Sequence, residues 1–142
     1  MGGAALIVSP FLDWLGVRSG ALTHSFTLSG ALRAMGRQDL LGPGMSVIPI
    51  VALGSVAVIL GIAGMSIANP SGLPLLVVLL GAAGGAFVAY LHAALEYAGF
   101  AIVGASIHAQ TTPAAGLFVA IAGSGAVLAG GLAWLRAAQA RA

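Results

Sequence analysis

Apolar residues run along this chain in four blocks, and the charged residues mark their edges. Asp13, Arg18, Arg33, Arg37 and Asp39 all precede Met45, and Arg136 and Arg141 follow Leu135. Between Leu40 and Arg136 the only charged residue is Glu96. A helix that crosses a bilayer needs about 20 mostly apolar residues. The blocks therefore predict spans at about 45–68, 73–95 and 114–135. The turn cluster Asn69-Pro70-Ser71-Gly72 separates the first two of these and forces an antiparallel hairpin. Pro74 and Pro113 fall at the first turn of the next two helices, where a missing N–H costs little.

The N-terminal block is shorter. Twelve helical residues, Met1–Leu12, rise about 18 Å against a hydrocarbon core of about 30 Å. Either the helix runs on through Phe11, Leu12, Trp14 and Leu15, giving a first span at about 1–15, or it begins upstream of Met1. With no positive n-region and no small-residue cleavage site, the block does not read as a signal peptide.

The loop after it, about 16–44, carries its own pattern. Leu22-Thr23-His24-Ser25-Phe26-Thr27-Leu28-Ser29 alternates with period two and predicts a half-buried strand. A short interfacial helix is expected from Ser29 or Gly30 through Leu40, with Leu32 and Met35 on one face and Arg33 and Arg37 on another. Gly42-Pro43-Gly44 would stop it. The loop at Phe100–Thr111 predicts a second strand at about 102–108. Two spans lie between these loops, so they share a face and the two strands could pair. The expected fold is one membrane domain: an all-α, four-helix transmembrane bundle with a small loop-borne β element on one face.

Composition supports the membrane reading. Of 142 residues, 60% are hydrophobic and 6% charged, with a mean hydropathy of +1.10, whereas soluble domains carry about 25% charge. The 22 glycines fit helices that pack through small residues in lipid. The absence of cysteine excludes disulfides, thiolate metal sites and thiol catalysis. The five basic residues are all arginine and form no stripe with aromatics, so nucleic-acid binding is not expected. Three arginines in loop one and two at the C-terminus nearly cancel in setting orientation. Arg136 and Arg141 directly flank a span and favour a cytoplasmic C-terminus; the opposite orientation stays open.

Few residues offer chemistry. His92 and Glu96, four apart, share a helical face as a possible proton or ion site. The plainer reading has Glu96 marking the exit of its span, with Tyr90 and Tyr97 as interfacial neighbours. His24, His92 and His108 could approach one membrane face, but no spacing among them demands a metal, and none is predicted. No serine has a base beside it, so no catalytic residue and no cofactor is predicted. Gly81, Gly85 and Ala89 form one small-residue stripe, and Gly116, Ala120 and Ser124 another, both suited to close helix packing. A further row comprises Ala122, Ala126 and Gly130. Trp14 and Trp134 each stand beside a span end and read as interfacial anchors.

Pro10-Phe11-Leu12-Asp13-Trp14-Leu15 closes the first block, and Pro113-Ala114-Ala115-Gly116-Leu117-Phe118 opens the last. This layout resembles small four-span bacterial membrane proteins, among them those called tryptophan-associated transmembrane proteins. It is also similar to the claudin-type topology with its stranded first loop. Asp13 stands where a proline often precedes the tryptophan, and the claudin Gly-Leu-Trp and paired cysteines are absent. The resemblance implies a fold and a bacterial inner membrane more than an activity. Gly36-Arg37-Gln38-Asp39 and Leu95-Glu96-Tyr97-Ala98-Gly99 also resemble segments of rotary ATPase ring subunits, but there the loop directly precedes the carboxylate helix, and here a hairpin intervenes. The functional expectation is a non-catalytic accessory or scaffolding subunit of a larger membrane complex, in contact with lipid and with other subunits or its own copies. The alternative is a small proton- or ion-handling protein built on His92 and Glu96.

Overall fold

A computed structural model describes residues 1–19, 22–30, 47–66, 72–103 and 109–140. Its order is α1 (Gly2–Val8), a 3-10 turn (Ser9–Phe11), β1 (Asp13–Ser19), β2 (Leu22–Thr27), α2 (Ile48–Ser66), α3 (Leu73–Val103), β3 (Ala109–Pro113) and α4 (Ala115–Gln139). The chain is mostly helical with one three-stranded sheet. Two stretches, Leu73–Ala94 and Ala115–Gln139, are long and apolar enough to cross a membrane. The nineteen residues of α2 rise about 28 Å, just under that length.

Gly72, at φ +91°, occupies the left-handed region that glycine enters freely, and it turns the chain from the α2 side into α3. α1, with the 3-10 turn, runs toward the sheet, α2 away from it, α3 back and α4 away again. α1 lies in the cleft between α2 and α4, and α3 packs along α4. The core follows these contacts: Leu6, Ile50, Val88, Leu91, Leu117 and Ala120 meet between the helices, with Trp14 and Leu28 beneath the sheet.

The sheet has the order β2-β1-β3, antiparallel throughout. β1 is the centre, with Val17 opposite His24 on one side and Thr111 on the other. A bulge lies between Asp13 and Leu15 in the pairing with β2. An extra residue there bends the strand and re-aims a side chain; the residue is Trp14, whose ring turns down onto α4. The Trp14 carbonyl accepts the Ala114 N–H at 3.1 Å, tying strand to helix.

Several expectations are corrected. The first helix does not continue to Leu15: the 3-10 turn ends it at Phe11 and residues 13–19 are strand. A short apolar run cannot be told from a strand by periodicity alone, and here backbone pairing on both sides decided for the strand. The strand expected at 102–108 is displaced: Ile102 and Val103 are the last residues of α3, and the strand is Ala109–Pro113. The anticipated pairing of β2 with the later strand is also replaced, because β1 lies between them. Helical conformation does begin at 28–30, where the Thr27 hydroxyl accepts the Gly30 N–H at 3.4 Å as an N-cap would. The rest of that expected interfacial helix, to Leu40, lies outside the described residues.

Candidate functional site

Among the described residues, several glycines let helix backbones meet closely. A Cβ placed on Gly3 would stand 2.7 Å from the Gly54 carbonyl oxygen, and one on Gly2 would stand 2.6 Å from that of Gly123. α1 is thus held backbone to backbone against α2 and α4. On α3, a Cβ at Gly81 would lie 2.5 Å from the Leu128 nitrogen. Small residues let helix backbones approach in this way.

The other members of the two stripes divide. Ala120 and Ser124 are buried at the helix contact, and the Ser124 Oγ–H donates to the Ala120 carbonyl at 2.9 Å. Gly116 is buried too, but it meets the Trp14 ring and the Ser9 carbonyl rather than a facing helix. Gly85 is half-buried beside Ser124, and Ala89 faces outward, so the Gly81 stripe leaves the contact as it approaches the sheet. The row Ala122, Ala126 and Gly130 also faces outward.

Trp14 does not act as an interfacial anchor. Its side chain is 1% exposed, and its Nε1–H donates to the Ser9 carbonyl at 2.7 Å. The Ser9 Oγ–H in turn donates to the Leu6 carbonyl at 3.0 Å. A buried indole needs such a partner, and the 3-10 turn supplies it by presenting the Ser9 carbonyl. The sequence signal for this lock was the pairing of Ser9-Pro10 with Trp14 and a glycine at 116. Trp134 is half-buried, with its ring against Gly64 on α2.

His92 is half-buried on α3 and lines a groove of about 460 Å³ between α3 and α4, together with Gly85, Ala89, Leu117 and Ile121. Glu96 follows one turn later on the same helix; its side chain lies outside the described residues. His24 is exposed on β2, and His108 lies outside the described residues. Among the described residues no three His, Cys, Asp or Glu side chains are grouped to hold a metal ion. A second groove, of about 570 Å³, opens between α2 and α4 beyond the start of α1.

No protein-family model matches the chain, and neither a curated protein nor a solved structure matches it.

Proposed function

We propose that the chain is a four-span integral membrane protein that serves as a non-catalytic accessory or scaffolding subunit of a larger membrane complex. One observation carries this reading: the longest helices present apolar side chains outward. In their most apolar windows only 28% of Leu73–Ala94 and 39% of Ala115–Gln139 is buried, whereas the core helix of a soluble protein is mostly buried. Ile59, Ile62, Leu79, Phe118 and Ile121 are each more than half exposed. Lipid accounts for such a belt without aggregation, since large exposed apolar surfaces otherwise mark interfaces.

The four spans are α1 with its 3-10 turn, then α2, α3 and α4. An even number of crossings between β1 and β3 brings their loops to one side, and the β1–β3 pairing agrees with that. The sheet then caps the bundle outside the membrane. Arg136 in the last turn of α4 favours a cytoplasmic C-terminus, and a bacterial inner membrane is the setting that the resemblance suggests. Kinship with the small four-span bacterial proteins and the claudin-like topology belongs to the same proposal. The sparse polar groups, the outward small-residue row and the small size favour a subunit that packs against partners over one that transports.

The test is a mild-detergent pull-down from native membranes through a C-terminal tag. Stoichiometric recovery of one large complex supports the subunit reading, and recovery alone or as a homo-oligomer removes it.

The second reading, proton or ion handling, draws on the position of His92 in the α3–α4 groove. Depth weighs against it. Counted from Leu73, His92 lies about 29 Å along the helix and Glu96 about 35 Å, beside a hydrocarbon core of about 30 Å. Both then fall near the sheet-side boundary rather than the midplane. Flux in liposomes that is lost in Glu96→Gln and His92→Ala would reverse this preference.

A further inference from the structure

The contact between α3 and α4 loosens toward the sheet. A Cβ on Gly81 would stand 2.5 Å from the Leu128 nitrogen, whereas one on Gly85, a turn closer to the sheet, would come no nearer than 3.9 Å, to the Ser124 Cβ. The groove of about 460 Å³ opens there, running from Gly81 to His92 along α3 and from Leu128 to Leu117 along α4. Each wall is a rise of about 16 Å, so the groove averages about 6 Å across.

Width, length and polarity together select the occupant. A helix with its side chains is about 10–12 Å across and could only rest on the rim, whereas a single hydrocarbon chain is thin enough to enter. Counted from Leu73, the groove begins about 12 Å along α3 and ends about 29 Å along it. That is the sheet-side half of a hydrocarbon core of about 30 Å, the depth of one leaflet. Polarity follows the same axis. Of the lining residues only His92 and Ser124 carry polar side chains. The Ser124 Oγ–H is held by the Ala120 carbonyl at 2.9 Å, so the inner walls offer no free donor. His92 stands at the mouth, at the depth of lipid headgroups. Left empty, the groove would cost the atoms that line it their dispersion contacts.

We propose that the α3–α4 groove seats one acyl chain of a phospholipid from the sheet-side leaflet, with the ester and phosphate groups of that lipid at the level of His92. The inference rests on the four-span reading, which it deepens. Small residues on the walls keep the groove open. A Cβ on Gly125 would meet nothing within 4 Å, so a long side chain there takes the place of the acyl chain without striking a backbone.

In the experiment the full chain, in mild detergent, receives palmitoyl-oleoyl phosphatidylglycerol, and native mass spectrometry counts the lipid retained. The parent is expected to keep one lipid per chain, and its unfolding temperature to rise with added lipid and level off at one equivalent. Gly125→Leu is expected to lower retention by about tenfold. Gly130→Leu, which also enters open space but lies in the α2–α4 groove, is expected to leave retention unchanged. Four results overturn the inference: no lipid kept by the parent, lipid kept with no plateau at one, equal retention in Gly125→Leu, or an equal loss in Gly130→Leu. The measurements on the parent decide the matter even where a variant fails to fold. A chain whose loops face the sides that four spans require, yet which retains no lipid, overturns this inference alone.

Discussion

The two ends of the α1 cleft differ in kind. On the sheet side the cleft is full: Gly2 and Gly3 touch facing backbones, the Trp14 indole sits on Gly116, and the Ser9 carbonyl accepts both the indole N–H and the Leu12 N–H. On the far side the same helices, α2 and α4, flank an open groove, where Gly61 and Gly130 face empty space and only the Trp134 ring crosses, to Gly64. Both ends are rich in glycine and alanine, so composition does not separate them. What separates them is whether a third element lies between. A small residue is a packing device only where a backbone comes to meet it, and elsewhere it is merely a weak helix former.

The sharpest way to break this contrast is to remove the lock on the filled side. Trp14→Ala deletes a fully buried aromatic side chain, and such truncations cost about 3–5 kcal/mol. Thermal unfolding in detergent is expected to show the largest loss of any single substitution. Trp14→Phe, which keeps an aromatic ring but loses the bond to Ser9 and part of the buried indole volume, is expected to cost less. Equal stability of Trp14→Ala and the parent would remove the lock.

Next comes the α3–α4 contact. Gly81→Ala drives a Cβ into the Leu128 backbone, which cannot yield as a side-chain tip can. Overpacking of this kind costs about 1–3 kcal/mol, read in the same unfolding experiment.

The smallest effect has the opposite sign. Gly61→Ala and Gly130→Ala add a methyl where nothing lies within 4 Å, and alanine favours a helix over glycine by about 0.8–1 kcal/mol. Each is expected to be neutral or mildly stabilising. Destabilisation at both positions would mean that the far half of the cleft is closed in solution and the contrast is false.

Legibility in the sequence followed the same division. The long helices and the hairpin between them were readable, because about twenty apolar residues bounded by Asn-Pro-Ser-Gly admit few other readings. β2 was readable from its alternation of polar and larger residues. β1 was not: Asp13-Trp14-Leu15-Gly16-Val17 does not alternate cleanly, and it becomes a strand by pairing with two partners distant in sequence. For the same reason β3 emerged at Gln110-Thr111-Thr112 rather than at the β-branched Ile102-Val103, which α3 absorbs. Gly81, Ala120 and Ser124, singled out by spacing, lie where α3 and α4 meet. The role of Trp14 was hidden because a tryptophan beside a span end has two uses, and only the bulge and the Ser9 carbonyl choose between them.

The central claim is that the helices cross a membrane with the sheet on one side. Single cysteines at His24, Thr112, Ser71 and Gln139 test it in oriented vesicles, using a maleimide that does not permeate the bilayer. Positions 24 and 112 are expected to react from one side, and positions 71 and 139 only from the other. Labelling of 24 and 112 from opposite sides, or of all four from the same side of sealed vesicles, would contradict the four-span account.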